Sequence, residues 1–178
     1  MTTCQGTNTY KDLIQAYDLS DLKRYPPKNS SYDEDSVMGF LHSNGNFKIF
    51  SYLLKVANTD IIANQREFMS TLFIADDETL TRQLGEKFFM NLDRNSALKL
   101  VNLHILPRVV TKSTMMGRRV AILDTKNPQS QISMMNNKGN ISLISLNKKF
   151  NIISDEIRKN NGIVYVLDGL FVPENFCY

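Results

Sequence analysis

The chain has 178 residues, 42% of them hydrophobic and 22% charged, with a net charge of +3; that suits one buried core with an appendage. Its basic residues are scattered, adjacent only at Lys23-Arg24, Arg118-Arg119, Lys148-Lys149 and Arg158-Lys159, so the concentrated positive stripe of a nucleic-acid binder is missing. No apolar run reaches the roughly 20 residues a membrane helix needs.

Residues 1–35 are polar and contain Pro26-Pro27, Asn29-Ser30-Ser31 and Asp33-Glu34-Asp35. Tyr10, Leu13, Ile14 and Tyr17 fall at i, i+3, i+4 and i+7, one face of a helix. Tyr25 and Tyr32 continue the tyrosine series, but Pro26-Pro27 breaks it before a coiled coil can form. These residues read as an N-terminal arm whose aromatics either pack on their own domain or lie on a neighbour, since tyrosine is enriched at interfaces. The opening Met1 to Gly6 has neither a basic stretch nor an apolar one, which leads to the expectation of a chain made and kept in the cytosol. Cys4 and Cys177 stand at opposite ends; free thiols are expected, with a bridge between the termini or between molecules left open.

From residue 36 to 178 the pattern is that of one α+β domain. Asn46 stands where a helix cap is expected, ahead of Phe47, Phe50, Leu54 and Ala57. Residues 71–75 read as a short buried strand that stops at Asp76-Asp77, whose carboxylates suit the start of the next helix. Leu80, Leu84 and Phe88 then form one apolar face. Asn95 is the expected cap of a further helix through Leu98 and Val101, and Pro107 marks the exit into extended chain.

The second half is strand-like. Residues 120–123 and 132–135 read as strands, 136–140 as a turn, and Ile141, Leu143 and Ile144 as the strand beyond it. Residues 152–159 are expected to form a short helix. Asn161-Gly162 turns the chain into a run with Val164, Val166, Leu170 and Val172 apolar, interrupted by Asp168-Gly169 and ended by Pro173.

Three places resemble the fasciclin domain family. The segment from Thr71 and Phe73 through Asp76 and Asp77 is similar to the family's strand-to-helix box, with Ala75 and Asp76 where proline and threonine are preferred. Residues 100–107 are similar to its central tyrosine-histidine motif, with His104 as the histidine, Leu103 replacing the tyrosine and Pro107 following. Residues 161–173, from Asn161-Gly162 through Asp168-Gly169 to Pro173, match its C-terminal signature, with Tyr165 in place of a frequent histidine. The resemblance covers residues 45–175. It implies a compact wedge of β-strands with packed helices, and a role in adhesion and scaffolding.

Enzymatic constellations are missing from the sequence. There is no phosphate-binding glycine loop, no His-Glu-x-x-His and no Gly-x-Ser-x-Gly, and no spacing suits zinc. His104, flanked by Leu103, Ile105 and Leu106, reads as a core histidine bonded through both nitrogens rather than as a pH-sensitive binding residue. Asp168 is expected to accept hydrogen bonds rather than to catalyse. The expectation is a non-enzymatic interaction module without cofactor or metal, with the arm (Tyr10, Leu13, Ile14, Tyr17, Tyr25 and Tyr32) as its contact. An asparagine-, lysine- and isoleucine-rich chain made in the cytosol suits a component of a large DNA virus particle, with capsid or matrix proteins as partners. The alternative is a secreted or cell-surface adhesion protein. In that case the sequons Asn29-Ser30-Ser31 and Asn140-Ile141-Ser142 would be open to sugar.

Overall fold

The computed structural model describes residues 31–174 and 176. In chain order its elements are α1 (Val37–Ser43), α2 (Lys48–Val56), α3 (Asp60–Asn64), β1 (Ser70–Ile74), α4 (Asp77–Leu84), α5 (Glu86–Met90), α6 (Arg94–Asn102), β2 (Ile105–Leu106), α7 (Lys112–Met116), β3 (Val120–Asp124), β4 (Gln131–Asn137), β5 (Asn140–Ser145), β6 (Lys148–Asn151), β7 (Ile157–Lys159) and β8 (Gly162–Val166).

The strands make two four-stranded sheets, ordered β2-β1-β8-β7 and β3-β4-β5-β6. In the first, β1 and β8 run parallel, with Leu72 beside Val164 and Phe73 beside Tyr165. Every residue of these two strands is buried, and alternate side chains face opposite ways. Leu72, Ile74, Val164 and Val166 join Phe50, Leu54, Leu80 and Val101 in a core beneath the helices. Phe73, Ile163 and Tyr165 join Met134, Leu143 and Phe171 in a second core beneath the other sheet. The result is an α+β arrangement of helices, central sheet and antiparallel meander. Two tight hairpins shape the meander. Lys138 (φ 51°) and Gly139 (φ 95°) turn β4 into β5, and Leu146 (φ 53°) and Asn147 (φ 61°) turn β5 into β6; two positive values in a two-residue loop match the twist of the flanking strands.

Local expectations are corrected in four places. Asn46 does not cap α2: Phe47 occupies the cap position without a side-chain bond, and the Asp77 carboxylate accepts from the Lys48 and Ile49 amides at 3.2 and 2.8 Å instead. Leu80, Leu84 and Phe88 do not share one helix, because Gly85 (φ 80°) divides α4 from α5 and Leu84 is only partly buried. Asp93, not Asn95, caps α6 by accepting from the Ser96 amide at 2.7 Å. Residues 152–159 are not helical: Ile152 bridges to Leu167, and Ile157 pairs with Val164 as part of β7.

Residues 32–35, placed with the arm by the sequence, are bonded to the domain. The Asp33 amide donates to Asn64 Oδ1 at 2.8 Å. Asn160 donates its amide to the Asp35 carbonyl at 2.9 Å and its side-chain nitrogen to Asp33 Oδ2 at 3.1 Å.

Candidate functional site

His104 lies between the end of α6 and the start of β2, and it is fully buried. Its Nδ1 is 2.8 Å from the Leu100 carbonyl, and its Nε2 is 2.9 Å from the Phe171 amide. A carbonyl only accepts and an amide only donates, so the ring is neutral with its proton on Nδ1. Phe171 stacks on the imidazole at 5.5 Å and Phe50 meets it edge-on at 6.3 Å. Burial lowers the pKa to about 4, against the raising effect of the Leu100 bond. Both nitrogens are occupied, which leaves no base or ligand atom to offer.

The other motif residues also turn to the main chain. Thr71 Oγ1 donates to the Arg108 carbonyl and accepts from the Val110 amide, both at 2.8 Å. Tyr165 donates its hydroxyl to the Val110 carbonyl at 2.8 Å, so the segment after Pro107 is held by two side chains from neighbouring strands. Phe73 is fully buried and stacks on Tyr165 at 5.9 Å. Asp76 caps α4 by accepting from the Thr79 amide at 2.7 Å. Burial raises the carboxyl pKa of Asp77, while its bonds to Ile49 and Lys48 oppose the shift.

The C-terminal signature has an equally local explanation. Asn161 is fully buried; its Oδ1 accepts from the Val37 amide, and its Nδ2 donates to the Ala63 and Gln65 carbonyls, each at 2.8 Å. Gly162 is required because a Cβ there would stand 2.4 Å from the Ser70 carbonyl oxygen of β1. A Cβ at Gly169 would stand 2.1 Å from the Phe150 ring. Asp168 is exposed rather than set within a buried strand, since β8 ends at Val166. It accepts from the Asn151 amide at 2.8 Å and from Asn151 Nδ2 at 3.2 Å, tying β6 to the chain after β8. Pro173 is half-buried beyond this point.

The sequence profile of the Fasciclin domain matches residues 45–173. The chain belongs to the fasciclin domain family. A structure of a FAS1 domain pair from the insect cell adhesion molecule Fasciclin I shares the fold, with a TM-score of 0.69 and 19% identity over 80% of this chain and 52% of that one. This chain therefore spans about half the length of that structure, and the likeness bears on the fold alone. No curated protein matches the sequence.

Elsewhere in this fasciclin domain one titratable cluster was not visible in the sequence. Tyr32 donates its hydroxyl to Asp60 Oδ2 at 2.7 Å, and its ring meets His42 edge-on at 5.0 Å. Lys55 Nζ lies 3.3 Å from His42 Nδ1. Burial lowers the Lys55 pKa to about 8 with Asp60 opposing, and burial and then Lys55 lower that of His42. The hydrogen-bonded pairs are 28 and 13 residues apart, separations that leave no local signal. Tyr10, Leu13, Ile14, Tyr17 and Tyr25 lie outside the described residues, as do Cys4 and Cys177.

Among the described residues, clefts open at two places on the fasciclin domain. One, of about 130 Å³, lies beside β3 and is lined by Arg108, Val110, Met115, Arg118 and Ile122. The other, of about 580 Å³, lies between Lys112, Asn140, Asn151 and Ser154, with the Lys112–Asp155 ion pair (3.2 Å) at its margin. Neither lining includes His42, His104 or Tyr165. Among the described residues, no three His, Cys, Asp or Glu side chains gather to hold a metal ion, and no helix is long and apolar enough to cross a membrane.

Proposed function

We propose that this fasciclin domain is a non-enzymatic interaction module that makes structural contacts within a larger assembly. The observation that carries this reading is the inward direction of its motif. His104, Asn161, Thr71 and Asp77 commit their polar atoms to main-chain groups, so function passes to the surface. The N-terminal segment supplies one contact, through the face carrying Tyr10, Leu13, Ile14 and Tyr17, and Tyr32 fixes its root to the domain. Composition favours the particle of a large DNA virus as the assembly, with capsid or matrix proteins as partners.

A second reading is adhesion outside the cell. The named role of Fasciclin I and the exposed Asn140, which begins a sequon at the β4–β5 hairpin, favour it. Cross-linking of the intact source material, followed by identification of the linked peptides, separates the two. Links from residues 10–32 to a particle protein support the assembly reading, and Tyr10→Ala/Tyr17→Ala then abolishes incorporation while the domain stays folded. Recovery from the medium with sugar on Asn29 or Asn140 supports adhesion instead.

A further inference from the structure

β3 forms one edge of the meander, with β4 on its inner side. The Asn136 amide donates to the Arg119 carbonyl at 2.8 Å, and Ala121 and Leu123 stand opposite Met134 and Ile132. Hydrogen-bonded pairs alternate along an antiparallel ladder. Arg119, Ala121 and Leu123 therefore direct their main-chain groups to β4, and Val120, Ile122 and Asp124 direct theirs outward.

The side chains of this edge are equally open. Val120 and Ile122 are each 61% exposed, and Met135, opposite Val120, is 43% exposed. Natural edge strands are protected by a charge, a proline or a bulge. Val120-Ala121-Ile122-Leu123 carries none of these. Charge sits only at its ends. Arg118 and Arg119 are exposed at the start, without an ion pair among the described residues, and exposed Asp124 at the finish takes a single side-chain bond, from Gln131 at 2.8 Å.

That distribution is self-complementary. Set antiparallel to a second β3 about a two-fold axis at Ala121, Val120 faces Ile122 of the other copy and Arg118 faces Asp124, each pair occurring twice. Apolar β-branched pairs and opposite charges are the favourable cross-strand combinations, and the outward main-chain groups of Val120 and Ile122 meet in that register; Arg118, just ahead of the strand with its amide bonded to the Met115 carbonyl at 3.3 Å, contributes its side-chain charge. A parallel arrangement would instead set Arg118 beside Arg118.

We propose that β3 pairs with β3 of a second copy, joining two meanders into one continuous sheet across a two-fold axis. The occupant is this same chain, as an isologous interface requires. The proposal deepens the interaction-module reading and rests on it. Its test, however, uses the purified full chain with no assembly partner present, so loss of one does not mimic loss of the other.

The experiment is sedimentation equilibrium from micromolar to near-millimolar concentration. The natural chain is expected to show monomer and dimer in exchange. Arg118→Asp and Asp124→Arg each weaken the dimer about tenfold or more, because each sets like charges opposite one another. The double exchange, Arg118→Asp with Asp124→Arg, restores it. An equal mixture of the two single variants forms a heterodimer as tight as the natural dimer. Ile122→Lys, also on the exposed face, abolishes it, and unchanged thermal unfolding shows each variant to be folded. A natural chain that stays monomeric throughout, or a dimer indifferent to these exchanges, overturns the proposal.

Discussion

The Phe171 amide donates to His104 Nε2 at 2.9 Å, and the two rings stack 5.5 Å apart. One side chain thus gives both a hydrogen bond and a packing face to a segment 67 residues further on. The family's central histidine and its C-terminal signature are two halves of one contact. Charging the imidazole would set a second proton against the Phe171 N–H at a fully buried site.

Acid should therefore loosen the fold through this residue. The folded-state pKa is about 4 against an ordinary 6.5, so the unfolded chain binds the proton more readily between those values. The stabilisation is complete above about pH 6.5 and is lost as pH falls toward 4, by up to about 3 kcal/mol. Urea unfolding across this range should show a smaller acid loss in His104→Gln than in the natural chain, with lower stability at neutral pH. Parallel pH curves for the two proteins would contradict the assignment.

Phe73→Ala should cost roughly 3–5 kcal/mol, a large part of the stability of an ordinary domain. The ring is fully buried and packs on Tyr165 between the two sheets. A shift below about 1 kcal/mol in denaturant unfolding would mean that the cavity closes over, which a ring held between two sheets does not permit.

Asn161→Ala removes the partner of the Val37 amide and of two carbonyls at once. Unmet buried polar groups cost about 1–3 kcal/mol each, so the loss should rival that of Phe73. Asn161→Asp is expected to rescue little, since it keeps the acceptor for Val37 and discards both donors. Gly162→Ala, which needs room at the Ser70 carbonyl, should weaken β1–β8 pairing and expose the β8 amides to hydrogen exchange.

Thr71→Val and Tyr165→Phe should not add. Both hydroxyls bond to Val110, so removing one lets the segment shift and devalues the other. A double-mutant cycle is expected to give a coupling of about 0.5 kcal/mol or more; strict additivity would show that the two bonds act independently.

Features with a local signal were legible in the sequence. The strand before Asp76-Asp77, the turn at residues 136–140 and the Asn161-Gly162 turn each carry their own apolar run, cap or turn residues, and each lies where expected. β7 was not legible, because Asp155 to Lys159 is charged and short, and its extended form comes from pairing with Val164 of β8. The start of α2 failed for a related reason: its amides are met by Asp77, 28 to 29 residues ahead. Sequence named the motif residues but not the three partners of Asn161 or the clasp on Val110. Those depend on how distant elements meet. The open edge at β3 was hidden too, since an apolar strand reads the same whether buried or bare.

The parallel pairing of β1 with β8 also bears on how this protein comes to exist. Ser70 finds its parallel neighbour only once Gly162 has been made. Until then β1 has only the short β2 as a strand beside it, and such late, long-range closure is slow and prone to aggregation. A premature stop ahead of β8 would not yield a smaller working unit. It would leave β1 without its parallel neighbour, material for chaperones and proteases rather than a fragment with partial function.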